Sequence, residues 1–201
     1  MVEKKSAASE RARKPQAAAS PARVYQLKVV LSGSRPPIWR RLQVPGDVTL
    51  GRLHAILQIA MGWEDRHLHL FASGRTVYRL PLPDLGFPSR DERQVAMNEV
   101  LAREKERLRY EYDFRDGWEH VLVVEKILPP GTGSARPLCL AGKRRCPPEQ
   151  SGGIIGYERL LAALRQSSRP EHAEIAEWRE EGFDPEAFDL DAVNRRLARL
   201  R

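Results

Sequence analysis

The chain has 201 residues, of which 41% are hydrophobic and 30% charged, and its net charge is +7. This length and hydrophobic content allow one fair-sized domain with a buried core. No apolar run approaches the roughly 18 residues of a membrane span, and the N-terminus lacks the apolar segment of a secretory signal. Since two cysteines do not form a disulfide framework, we expect a cytoplasmic, reduced protein that does not bind membranes.

The basic excess lies mostly at the N-terminus, where residues 1–23 hold six Lys/Arg against two Glu. Residues 1–22 lack apolar periodicity and are rich in Ala, Ser, Lys and Arg, so we predict a disordered basic tail. Such a tail could bind nucleic acid or acidic surfaces non-specifically, or it could simply be solvated. Residues 23–201 are predicted to form a single domain, with a sheet core at 23–128 and a cysteine loop and C-terminal helices at 129–201.

Two strands open the predicted domain. Val24–Leu31 alternates and then becomes fully apolar, and Ile38–Val44 alternates throughout. The turn SGSRPP separates them, which predicts a hairpin. In the second strand the alternation puts Arg40 on the apolar face with Ile38.

An amphipathic helix follows, which starts at Thr49, with either Thr49 or Asp47 as its N-cap, and ends at Gly62. Its apolar residues recur at helical spacing and should face the sheet; they are Leu50, Leu53, Ile56, Leu57, Ala60 and Met61. His54 and Gln58 are expected off this stripe, toward the helix edge.

Further strands are predicted after the helix, and a short helix at Asn98–Glu106. The strands are His67–Phe71, Thr76–Leu80, Arg109–Phe114 and Glu119–Leu128. Pro81–Arg93 is predicted to be a loop because it is rich in proline.

The C-terminal third is predicted to be helical, at Tyr157–Leu164, at Pro170–Glu181 and from Asp189 onward. In the second of these helices, Ile175 and Trp178 should face inward. The element order predicts an α+β fold, in which one helix crosses a mixed β-sheet in a β-grasp-like order and the helical part packs beside it.

A His/Asp cluster is the first candidate site. His67 and His69 lie two residues apart on a predicted strand, so both imidazoles project from one face. His120, Asp113 and Asp116 could complete a zinc or iron site. Alternatively, one of the two histidines caps a loop and the other fills the edge of the core.

Asp113 and Asp116 lie at a corner between two predicted strands. Carboxylates at such a corner can act as a general base or a metal ligand, or they can accept hydrogen bonds from the backbone amides of the turn. Trp63 and Trp118 flank this region. Their rings could stack on a base or a nucleotide, or pack in the core.

Cys139 and Cys146 are separated by six residues, a spacing unlike the C-x2-C of zinc knuckles. The two cysteines could form half of a metal site or a redox pair, or they could simply pack within the loop. Between them Lys143, Arg144 and Arg145 could bind a phosphate, or they could form a solvated charge run.

The sequence resembles the plasmid pRiA4b ORF-3-like family over about residues 23–200. Matching segments occur in order along the chain: PPIWRRLQVP, TLGRLHAILQIAMGW, HLHLF, YEYDFRDGWEH, CLAGKRRCPPEQSGGIIGY and a C-terminal PEH…W…FDPEAFDLDAVNRRL. The resemblance implies a single α+β domain whose members occur on plasmids and beside insertion elements, some with a transposition or resolvase label. The family usually has Gly at the position of Arg115 and Asp at that of Gln150, so this chain lacks one carboxylate that could have served a metal.

Two functions follow as hypotheses. One is a non-enzymatic binding module for nucleic acid or for a protein of a mobile element. The other is a metal-binding protein or metal-dependent enzyme that uses the His/Asp cluster.

Overall fold

The computed structural model describes residues 23–81, 88–134, 136–165 and 182–200. Within these ranges eight strands form one sheet. The strands are β1 (Val24–Leu31), β2 (Trp39–Pro45), β3 (His69–Ser73), β4 (Thr76–Arg79), β5 (Arg90–Asp91), β6 (Arg107–Tyr112), β7 (Trp118–Leu128) and β8 (Leu138–Lys143). The helices are α1 (Leu50–Met61), α2 (Met97–Val100), α3 (Gly153–Arg165) and α4 (Leu190–Arg199), with a 3-10 turn at Glu92–Gln94.

The strands lie in the order β5-β4-β3-β6-β7-β1-β2-β8. All neighbours pair antiparallel except β4 and β5, which are parallel. The sheet is therefore mixed, and the predicted α+β class is confirmed. The β-grasp-like order stays a prediction.

The predicted hairpin is confirmed, since β1 and β2 pair antiparallel from Val24 opposite Pro45 to Val30 opposite Trp39. Alternate residues of both strands are buried, as the period-two pattern requires. Arg40 follows this pattern and is only 2% exposed.

Burial of Arg40 is possible because its guanidinium donates to four backbone carbonyls and to Cys146 Sγ. Its Nε donates to Ala60 O at 2.8 Å, Nη1 to Lys143 O at 3.0 Å and Nη2 to Arg144 O at 2.8 Å. This one side chain therefore joins β2 to the end of α1 and to the segment after β8.

Helix α1 begins and ends as predicted. The Thr49 hydroxyl accepts from the Arg52 N–H at 3.2 Å, and Gly62 ends the helix in the left-handed region at φ 92°. The apolar stripe joins the core formed with the sheet. The expectation for His54 and Gln58 was wrong, because they are 5% and 4% exposed and bond to side chains of neighbouring elements.

Two other expectations need correction. The third strand begins at His69, two residues later than predicted, so His67 precedes it. The short helix ends at Val100 instead of extending to Glu106, because Glu106 caps a turn by accepting the N–H groups of Ala102 and Arg103.

The predicted cysteine loop is partly a strand, since β8 contains Cys139. Helix α3 buries Tyr157 and Leu160, and α4 packs against β8 and α1. Asp189 accepts from the Ala192 N–H at 2.8 Å and so caps α4 as predicted.

Some predictions fall outside the described residues. They are the basic tail at 1–22 and the helix Pro170–Glu181, with Ile175 and Trp178. None of the helices in the described ranges has the length and apolar character that a membrane crossing requires.

Candidate functional site

A groove of about 490 Å³ opens beside α1 and β3. Four chemically active side chains that line it are supplied by four parts of the fold. His54 comes from α1, Asp65 from the segment after that helix, His69 from β3 and Glu92 from the 3-10 turn. Because residues of α1 and β3 both belong to the packed core, the backbone at the two histidines is held in place.

The rings of His54 and His69 stack face to face, with centroids 3.4 Å apart and planes 2° apart. Two imidazolium cations at this distance would repel each other strongly. The pKa of His54 is lowered, first by burial and then by His69. Burial, and then the neighbouring His69, therefore favour the neutral form of His54, which is the protonation state of a metal ligand.

Each stacked histidine has a carboxylate partner. His69 Nε2 lies 2.9 Å from Glu92 Oε2, and both side chains are buried. His54 Nε2 lies 2.8 Å from Asp65 Oδ1, which is exposed at the groove. In the tautomer that carries its proton on Nε2, His69 donates to Glu92 and keeps the lone pair of Nδ1 for another contact.

A hydrogen-bond chain holds His54 from behind. Its Nδ1 lies 2.9 Å from the Tyr110 hydroxyl, and this hydroxyl accepts a hydrogen bond from Gln58 Nε2 at 2.9 Å. Burial raises the pKa of Tyr110 well above its usual value, so the phenol stays protonated. The chain fixes the orientation of the imidazole, as outer partners of metal-ligating histidines do.

His54, Asp65 and His69 form the one group of three potential ligands found among the described residues. Their ligand atoms all lie within 4.8 Å of one another. Two imidazoles and a carboxylate are a donor set used by zinc and non-haem iron sites, so the chemistry of these residues fits either ion.

The metal set predicted from the sequence is only partly brought together, since His69 alone belongs to this group. His67 Nε2 lies 3.6 Å from Asp113 Oδ2, so these two form a separate pair. His120 is fully buried, and its Nδ1 lies 3.1 Å from Trp118 O. Burial lowers the pKa of His120 to about 3.

The carboxylates of the β6–β7 corner bind backbone amides. Asp113 Oδ1 accepts from the Arg115 N–H at 3.1 Å, and Asp116 Oδ2 accepts from the Gly152 N–H at 3.1 Å. Positive φ occurs at Asp113 and Gly117 but not at Arg115. Arg115 therefore imposes no backbone strain of this kind at the corner.

The two tryptophans that flank the corner belong to the core. Trp63 and Trp118 are 3% and 0% exposed, and the Trp63 ring stacks on Tyr112 with centroids 5.1 Å apart. The Trp63 indole donates to Pro147 O at 3.0 Å. A base could not stack on these rings unless the core opened.

The basic run between the cysteines contacts the C-terminal segment. Arg144 donates to Glu186 at 2.9 Å, and the guanidinium of Arg145 lies 4.9 Å from the Phe183 ring. Lys143 is exposed. Phosphate binding by this run stays a prediction, although two of its three cations are occupied by these contacts.

Both cysteines are free thiols in buried positions. Cys146 packs against Met61, with the sulfurs 3.6 Å apart, and burial raises the pKa of its thiol to about 11. Neither cysteine belongs to a metal-ligand group within the ranges described. Of the three open interpretations, packing agrees best with this environment.

Sequence reasoning missed His54, Asp65 and Glu92. One signal was present: His54 and Gln58 lie four residues apart and so share a helix face. No local pattern joins Glu92 to His69, because they approach only when the 3-10 turn packs near β3.

The comparisons with known proteins agree with this fold. The profile of the family described as plasmid pRiA4b ORF-3-like protein matches residues 23–192. The chain belongs to the plasmid pRiA4b ORF-3-like family. The resemblance noted from the sequence is thereby confirmed.

Two relatives of this family member are similar over most of their length. The uncharacterized protein y4hQ of Sinorhizobium fredii (strain NBRC 101917 / NGR234) is 36% identical over 176 residues, which cover 87% of this chain and 90% of the relative. The crystal structure of a protein of unknown function, MM3350 from Methanosarcina mazei Go1, matches with a TM-score of 0.75 and 37% identity. That match covers 85% of this chain and 96% of the other.

Proposed function

We propose that this protein binds a divalent transition metal ion, zinc or iron, through His54, Asp65 and His69. The observation that carries the proposal is the approach of three ligand atoms to within 4.8 Å of one another beside an open groove. Glu92 and Tyr110 would act as outer partners that orient the two imidazoles. Ligation by three protein groups leaves coordination positions for a molecule in the groove, where Lewis-acid chemistry becomes available.

Binding requires a small rearrangement. The lone pair of an imidazole nitrogen lies in the ring plane, whereas the two rings are parallel at 3.4 Å. One ring must therefore tilt out of the stack before both nitrogens can reach one ion. Asp65, whose side chain is 57% exposed, has room to move with it.

The test is a titration of chelator-treated protein with Zn²⁺, and with Fe²⁺ under anaerobic conditions. Elemental analysis after gel filtration should find about one ion per chain, and competition with a chromophoric chelator gives the affinity. Retention far below one ion per chain for both metals would rule the proposal out.

Asp65→Asn is the most informative variant, because the exposed side chain can change without disturbing the core. We expect a loss of about tenfold or more in metal affinity. Glu64→Gln is the matched control, since this neighbouring exposed carboxylate pairs with Arg66. The metal affinity of this variant should equal that of the wild type. Equal affinity for the two variants would contradict the assignment.

A second candidate, binding of nucleic acid in a mobile element, is favoured by the concentration of positive charge in residues 1–23 and by the plasmid in the name of the family. Such binding weakens steeply with salt, because condensed counterions are released from the phosphates. A gel-shift titration of duplex DNA at about 50 and 200 mM salt tests it. Absence of a shift at the lower salt would exclude this function.

A further inference from the structure

We infer that the groove beside His54 and His69 binds an organic anion with an apolar portion, for which a medium-chain carboxylate is the simplest probe. The inference rests on the proposed metal site, because the anionic head is assigned to the ion and to Arg52. The apolar portion is assigned to Leu68 and Leu80.

The apolar wall is the first observation. Four large hydrophobic side chains are exposed in the described ranges: Leu68, Leu80, Phe114 and Ile155. Leu68 and Leu80, which are 48% and 38% exposed, both line this groove. Exposed apolar side chains gathered in a concavity with a few polar groups are typical of ligand sites.

The charges of the groove are the second observation. Arg93 pairs with Asp91 at 2.8 Å, and Glu92 is occupied by His69. Arg52 donates from Nη2 to Leu200 O at 2.7 Å, and within the described parts of the chain no carboxylate reaches it. Among the described residues its other N–H groups have no acceptor, so they can donate to an anion.

A divalent ion would add positive charge to that of Arg52 in the groove. Asp65 would be neutralised by the ion, so the groove would present Arg52 and a metal to any ligand. Charge complementarity then favours an anionic head. The volume of about 490 Å³ lies in the range of small-molecule sites, which suits a ligand of the size of a medium-chain carboxylate.

Isothermal titration with octanoate tests this inference on zinc-loaded and on chelator-treated protein. We expect a dissociation constant below about 1 mM for the zinc form and weaker binding to the metal-free form. Acetate lacks the tail and octanol lacks the charge, and each should bind at least about tenfold more weakly. The inference would be overturned if octanol or acetate bound with the same affinity as octanoate. It would also be overturned if octanoate bound equally tightly with and without zinc.

Matched variants separate the two halves of the site. Leu68→Ser should weaken octanoate binding about tenfold, whereas Ile155→Ser, an exposed apolar position outside the groove, should leave it unchanged. Arg52→Met should weaken it by a similar factor and Arg52→Lys by less. Thermal melting confirms that each variant is folded.

The two proposals fail in different ways. Zinc binding without octanoate binding would overturn this inference and leave the metal proposal standing. Absence of zinc binding would end the metal proposal, and with it the assignment of the head group.

Discussion

Asn194 on α4 bonds to both backbone groups of Cys139 on the edge strand β8. The Asn194 Oδ1 accepts from the Cys139 N–H at 2.8 Å, and its Nδ2 donates to the Cys139 carbonyl at 2.9 Å. One side-chain amide therefore takes the place of a further strand at this position. Unpaired strand edges promote aggregation, so the contact both docks the last helix and covers part of the edge.

Substitution of this amide should destabilise the fold. We expect Asn194→Ala to lower the free energy of unfolding by about 1–3 kcal/mol, because two partly buried backbone groups lose their partner. Asn98→Ala, an exposed position on α2, is the control and should change it by less than about 0.5 kcal/mol. Urea denaturation measures both, and equal effects would show that the Asn194 contact contributes nothing specific.

Arg40 should be irreplaceable even by lysine. Arg40→Lys keeps the charge but cannot reach Ala60 O, Lys143 O and Arg144 O together, since it has a single nitrogen. We expect a loss of about 2 kcal/mol or more in the free energy of unfolding. Arg41→Lys is the matched control on the opposite face, where the partner is Glu125, and should cost less than about 1 kcal/mol. If Arg40→Lys lowered the free energy of unfolding by as little as the control does, the hydrogen bonds of the Arg40 guanidinium would not be essential to the fold.

Gly153 should not tolerate a side chain. It has φ +69°, and an added Cβ would lie 2.4 Å from Asp116 O. Gly117 has nearly the same φ, +66°, with open space around it. Gly117→Ala should therefore report the backbone cost alone, about 1–2 kcal/mol, whereas Gly153→Ala should cost clearly more. Equal losses in chemical denaturation would mean that the contact between the β6–β7 corner and α3 is not tight.

Stability should fall with acid because of His120. Burial lowers the pKa of His120 from 6.5 to about 3, so between these values the unfolded chain binds a proton that the folded protein does not. The free energy of unfolding therefore decreases as the pH falls from about 6.5 toward 3, by up to about 1.4 kcal/mol per pH unit from this group.

His120→Leu isolates that contribution. Its stability relative to wild type should improve as the pH is lowered from 7 to 4, because the unfolded variant no longer gains that proton. Urea titrations at several pH values measure the difference. A constant difference across this range would show that His120 is not held neutral in the fold.

Local sequence patterns determine much of the architecture of this protein. The bounds of β1, the end of α1 at Gly62 and the cap of α4 at Asp189 follow from alternation, helical spacing and capping chemistry, each of which acts over a few residues. The placement of Arg40 on the buried face also followed from alternation alone. The segments that resemble the family were likewise sufficient to assign it.

The tertiary structure decided which of the histidines meet. His67 and His69 seemed equivalent because an extended strand would place both on one face, but β3 begins only at His69 and His67 turns toward Asp113. His54 reaches His69 because α1 packs beside β3. Glu92 reaches His69 because the 3-10 turn lies next to both elements. These approaches depend on how distant elements pack, and residue spacing along the chain carries no record of that packing.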